Sequence, residues 1–115
     1  MTLERTERVR DLYQAFNDRD LDAVVATMAP EVVWPNGWEG GRLVGRDSVR
    51  NYWERQWLHI RPIMTVRSVE ERTDGNVEAK VHLLVRDPAG NVLSRSSAVH
   101  VYTFTRDLVQ HMVAE

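Results

Sequence analysis

The chain has 115 residues, with 15 Lys and Arg against 17 Asp and Glu for a net charge of −2, and no cysteine. That length is common for one domain and buries enough surface for a core without cross-links, while the lack of cysteine excludes disulfides, thiolate metal sites and cysteine nucleophiles. The basic residues are dispersed and only Lys80 is a lysine, so no cluster marks a nucleic-acid footprint, and no apolar run approaches a membrane span.

In chain order, Met1-Thr2-Leu3-Glu4-Arg5 is charged and lacks the apolar segment of a signal peptide, so a cytoplasmic protein is expected. Val9, Leu12, Tyr13 and Phe16 recur at i, i+3, i+4, i+7, the apolar stripe of an amphipathic helix. Asn17-Asp18-Arg19-Asp20 ends it, and Asp20 suits the N-cap of the next helix. Leu21, Val24, Val25 and Met28 form a shorter stripe, stopped by Pro30. Glu31 to Asn36 reads as a strand whose internal proline confines it to an edge or an end. Alternation puts Val32, Trp34 and Asn36 on one face. Gly37-Trp38-Glu39-Gly40-Gly41 is an irregular loop.

Gly45-Arg46-Asp47-Ser48 opens a third helix, with Asp47 near the positive end of its dipole. Val49, Tyr52, Trp53, Gln56 and Trp57 form its inward side, and Pro62 lies past its end. The remainder is β. Ile63 to Arg72 is followed by the hairpin signal Thr73-Asp74-Gly75-Asn76. Val77, Ala79, Val81, Leu83 and Val85 then alternate with Glu78, Lys80, His82, Leu84 and Arg86. Asp87-Pro88-Ala89-Gly90-Asn91 is a turn, Val92 to Thr105 a long strand, Arg106-Asp107 a tight turn, and Leu108 to Val113 a last strand. The order α-α-β-α-β-β-β-β predicts one α+β domain over residues 1–115. Three helices pack on one face of a curled antiparallel sheet, giving a two-layer form with a cavity at its open end.

His100 groups by alternation with Ala98, Tyr102 and Phe104. Histidine titrates near neutrality, so it can serve as acid, base or hydrogen-bond donor. Asn36 offers two donors and an acceptor at a mouth-like position. Four tryptophans are heavy usage for this length. Trp34 and Trp53 fall on inward faces and Trp38 and Trp57 near the mouth, with Trp57 assigned to core or dimer packing. Aromatic walls suit a flat apolar ligand, and the expected lining is Trp34, Trp53, Trp38, Tyr102 and Met112. Arg61 reads as a solvated loop cation, His82 as an outer-face residue, and His111 as sharing the side of Val109 and Val113. The four histidines lack H-x-H or H-x-x-x-H spacing, so no metal or other cofactor is expected.

Tyr13-Gln14-Ala15-Phe16-Asn17-Asp18-Arg19-Asp20-Leu21-Asp22-Ala23-Val24, Met28-Ala29-Pro30-Glu31-Val32-Val33-Trp34 and Gly45-Arg46-Asp47-Ser48-Val49 resemble the nuclear transport factor 2-like superfamily. Within it they are most similar to the SnoaL-like and ketosteroid-isomerase-like branch. The resemblance covers almost the whole chain and implies a conical α+β barrel, commonly dimeric, with its pocket inside the cone. The ketosteroid-isomerase pattern implies a carboxylate base ending the first strand, a first-helix tyrosine, and a protonated aspartate on a late strand. Those positions fall here on Asn36, on Leu12 with Tyr13 beside it, and on His100. The chain therefore departs from that pattern at the base, where an amide cannot take up a proton.

The expected function is a pocket for a small apolar or aromatic molecule, with isomerase, cyclase or dehydratase-type chemistry on a cyclic substrate. His100 would be its acid/base, with Asn36 or Tyr13 as hydrogen-bond partner. The alternative is a ligand-binding or dimerisation domain without chemistry. A homodimer through the sheet is the expected assembly.

Overall fold

The computed structural model describes residues 2–37 and 39–115. Three helices, α1 (Thr2–Asn17), α2 (Leu21–Ala26) and α3 (Arg46–Gln56), pack on a six-stranded sheet. Its strands are β1 (Met28–Pro35), β2 (Arg42–Val44), β3 (Arg61–Glu71), β4 (Val77–Arg86), β5 (Val92–Thr105) and β6 (Leu108–Ala114). Their spatial order is β2-β1-β6-β5-β4-β3. The predicted α+β class and helix–strand succession are both present, with one addition. The glycine-rich loop after β1 returns through the three-residue strand β2, which pairs antiparallel with β1. Three residues are too few for a sequence period to register.

The α1 stripe is buried as its spacing requires, with Val9, Leu12, Tyr13 and Phe16 each 2% exposed or less. Asp20 caps α2 by accepting from the Ala23 amide at 3.1 Å. The boundary between α2 and β1 differs from expectation, and β3 begins at Arg61, two residues before the expected Ile63. Met28 is buried but opens β1, and Pro30 lies inside that strand and does not stop α2. Its missing N–H is tolerated because β1 and β6, which run parallel, lose register between Met28 and Val33. The guanidinium of Arg46 donates to the Met28 carbonyl there.

Strands β3 to β6 form the antiparallel meander that the turns predict. Asp74 and Asp87 each accept from a backbone amide inside their hairpin loops, at 2.9 Å. Arg106 and Asp107 both take positive φ (50° and 62°), the conformation that lets a two-residue hairpin match strand twist. A register shift between Thr103 and Phe104 of β5 leaves one extra residue on β6. A one-residue slip turns a side chain to the other face. Val109 and Met112 are therefore the buried pair, while Val113 is 44% exposed and His111 does not share the buried side of Val109.

Strand β3 is a sheet edge, and α1 covers it in part through Asn17. The Asn17 amide donates to the Met64 carbonyl at 2.8 Å and its oxygen accepts from the Met64 N–H at 2.9 Å. One side chain thus pairs with the edge as a neighbouring strand would. Removing it in Asn17→Ala leaves both backbone groups without these partners, an expected loss of about 2 kcal/mol. The measurement is the urea midpoint at unchanged slope, and a midpoint equal to wild type would contradict it.

Candidate active site

The inward faces of α1, α3 and the sheet do not close completely. They enclose a cavity of about 150 Å³. Leu12, Tyr13 and Phe16 of α1 form one wall, Tyr52 and Trp53 of α3 another, and Trp34 and Pro35 of β1 a third, with Gly37 beyond them. The sheet floor is Met64, Leu83, His100, Tyr102, Met112 and Ala114. No charged side chain is among these lining residues. The walls brace one another through their rings. Phe16 meets Trp53 edge-on at 4.7 Å between centroids, Tyr52 meets Trp53 at 4.9 Å, and Trp34 lies 6.1 Å from Tyr102.

Polar groups of the cavity converge at one place. Tyr102 Oη donates to Tyr13 Oη at 2.6 Å, and Tyr13 Oη lies 2.7 Å from His100 Nδ1. With Tyr102 donating to it, Tyr13 has its own proton free for the imidazole. All three side chains are buried. Burial pushes the His100 pKa down from its ordinary 6.5 to about 4 and holds both phenols above their usual range; for Tyr13 the hydrogen bond from Tyr102 partly offsets that rise. These three side chains are therefore uncharged at neutral pH. Helix α1 brings Tyr13, and β5 brings His100 and Tyr102 from alternate positions on one face.

Of the residues singled out from sequence, His100, Tyr13, Trp34, Trp53, Tyr102 and Met112 share this cavity. Asn36 sits between two lining residues, but its side chain is turned into the loop. Its amide donates to Glu39 Oε1 at 3.2 Å and its oxygen accepts from the Glu39 N–H at 2.9 Å. Arg55 and Gln56 of α3 hold that same Glu39, each at 3.2 Å. Trp38 lies outside the described residues. Arg61 is not a solvated cation; it is half-buried and donates to the carbonyls of Trp57 and Ile60, closing the C-terminal end of α3. His82 is exposed on the outer sheet face and bonds Ser97 across strands at 3.0 Å. Leu12, Phe16, Tyr52, Met64 and Leu83 line the cavity without having been assigned to it. Leu12, Phe16 and Tyr52 were visible as inward residues, but periodicity does not separate a cavity wall from a filled core. Among the described residues, no three His, Asp or Glu side chains converge to hold a metal ion, and no helix is long and apolar enough to cross a membrane.

The family model for the SnoaL-like domain matches residues 9–112. The chain belongs to the SnoaL-like family. No curated protein matches the sequence, whereas solved structures of the same fold are numerous. A nuclear transport factor 2-like protein of unknown function from Burkholderia pseudomallei is 24% identical, with TM-score 0.84 over 97% of this chain and 89% of that one. TerC, crystallised with polyporic acid, is 21% identical, with TM-score 0.83 over 97% and 90%. RV0760c from Mycobacterium tuberculosis, in complex with estradiol-17beta-hemisuccinate, is 16% identical, with TM-score 0.84 over 96% and 92%. At these identities the likeness establishes the shared fold. In this SnoaL-like chain, a carboxylate is not among the residues that line the cavity.

Proposed function

We propose that the cavity binds a small, uncharged, ring-containing molecule with one polar oxygen at His100. We propose further that the protein isomerises, cyclises or dehydrates it by proton transfer at that residue. The observation that carries this reading is the Tyr102–Tyr13–His100 chain, set in a space walled mainly by apolar and aromatic side chains. A neutral imidazole backed by two phenols can donate to an oxygen on which negative charge develops, and a water-poor site strengthens that bond. The cavity's size bounds the ligand. An apolar cavity of about 150 Å³ accommodates a benzene-sized guest, so the substrate is one ring with small substituents unless the walls move. TerC was crystallised with polyporic acid and RV0760c with estradiol-17beta-hemisuccinate, which supports small-molecule binding as the use of this cavity. The assembly we propose is a homodimer through the outer face of the sheet.

The missing carboxylate favours a second reading, a binding domain without chemistry, because an imidazole with a pKa near 4 is a weak base. One screen separates the two. Uncharged monocyclic compounds are tested for a rise in melting temperature, since a ligand selective for the folded state adds about 2.7 kcal/mol at a hundredfold excess over its Kd. Each hit is then recovered. The enzyme reading expects a hit returned chemically changed by the wild type and unchanged by His100→Ala. Hits returned unmodified support binding alone, and turnover unaffected in His100→Ala would remove His100 from the mechanism.

A further inference from the structure

The hydrogen-bond chain has a direction. Tyr102 is fully buried, and Tyr13 is the acceptor of its hydroxyl proton. If the chain ran the other way, Nδ1–H would donate to Tyr13 and Tyr13 to Tyr102. The Tyr102 proton would then be left in the protein interior with no other described acceptor. A buried donor without a partner is costly, whereas an unused lone pair on the same oxygen is cheap. The resting direction is therefore Tyr102 to Tyr13 to Nδ1. An imidazole that accepts at Nδ1 and is neutral carries its hydrogen on Nε2. Among the described residues, Tyr13 is the ring's hydrogen-bond partner, so Nε2–H is left for whatever occupies the cavity.

We propose, on the reading of the cavity given above, that Tyr102 and Tyr13 hold His100 as its Nε2–H tautomer. The site thereby becomes selective for the acceptor oxygen of an uncharged cyclic ketone over the matching alcohol or carboxylate. A ketone oxygen accepts the Nε2 proton and has no hydrogen of its own to satisfy. An alcohol oxygen can accept the same proton, but its own O–H then needs a further acceptor, and the phenol oxygens beside the imidazole are already engaged with each other and with Nδ1. A carboxylate brings a full charge to a lining without a cation, where desolvation opposes entry. Tyr13 is on this account a positioning residue, which acts through the tautomer it imposes on His100.

The test uses the whole chain with three probes of one ring size, cyclohexanone, cyclohexanol and cyclohexanecarboxylate. Dissociation constants are measured by NMR titration, and ¹⁵N shifts of the His100 ring report its tautomer. The expected result is a protonated Nε2 and an unprotonated Nδ1 at neutral pH, with cyclohexanone binding about tenfold more tightly than cyclohexanol and the carboxylate weakest. Tyr13→Phe, which removes the proton that occupies Nδ1, is expected to mix the tautomers and bring the ketone-to-alcohol ratio toward one. If that variant does not fold, the wild-type shifts and the wild-type ratio decide the matter. A hydrogen on Nδ1, or ketone and alcohol bound within about twofold of each other, overturns the inference while leaving the cavity as a ring-binding site. Binding of none of the three overturns the cavity reading, and this inference with it.

Discussion

Trp53→Ala is expected to lower the stability of the folded chain by about 3 to 5 kcal/mol, the range for deleting a buried large aromatic side chain. Trp53 is 4% exposed and stands where three rings meet, with Phe16 at 4.7 Å, Tyr52 at 4.9 Å and Trp57 at 6.0 Å between centroids. It also walls the cavity, so truncation joins a new void to an existing one and the surroundings have little reason to collapse. Against a total stability of about 5 to 15 kcal/mol for ordinary domains, this is a large share. Trp57→Ala is the control. Its ring is only half-buried, beneath the Arg19 guanidinium at 5.2 Å, and a smaller loss is expected. Urea denaturation of the two variants at one pH provides the comparison. A loss under about 1 kcal/mol for Trp53→Ala would mean that α3 is not held by this cluster.

The second large effect is a pH dependence that His100 imposes on folding. Its folded-state pKa is about 4 against 6.5 in the unfolded chain, because burial disfavours the charged ring. Between those values the unfolded chain binds a proton that the folded one refuses, so stability rises with pH across that window. The favourable contribution is fully present above about pH 6.5 and is lost as pH falls toward 4. A shift of this size corresponds to roughly 3 kcal/mol. His100→Gln offers an amide in place of the imidazole and has no such titration. Denaturation midpoints of both proteins from pH 7 to pH 4 are expected to diverge by about 3 kcal/mol at the acid end, the wild type losing more. Other titrating groups are common to both proteins and cancel in the difference. Parallel curves would show that His100 is protonated as easily in the folded chain as in water, and that the cavity admits solvent freely.

Much of the scaffold was legible because its signals are local. The α1 stripe, the Asp20 cap, the three hairpin turns and the alternation along β4 each depend on a few consecutive residues, and each is present as read. The errors fell where a distant partner decides. Pro30 looked like a helix stop because its tolerance inside β1 comes from the register break against β6, about eighty residues away. His111 was grouped with Val109 because strict alternation fails at a bulge that β5 imposes. Arg61 is the exception, because the carbonyls it closes, those of Trp57 and Ile60, are near in sequence.

The same division holds at the site. The sequence by itself determined that His100 and Tyr102 share one strand face, that Tyr13 lies on the buried stripe of α1, and that aromatic side chains line the interior. Strand and helix periods dictate those placements, and they follow from backbone geometry alone. Only the tertiary structure decided that Tyr13 Oη reaches His100 Nδ1 across 87 positions of chain, with Tyr102 donating behind it. It also decided that Asn36 turns into its own loop. Hydrogen bonds are set to within tenths of an ångström by the packing of whole elements. A residue's face is a property of its own segment, whereas its partner is a property of the fold.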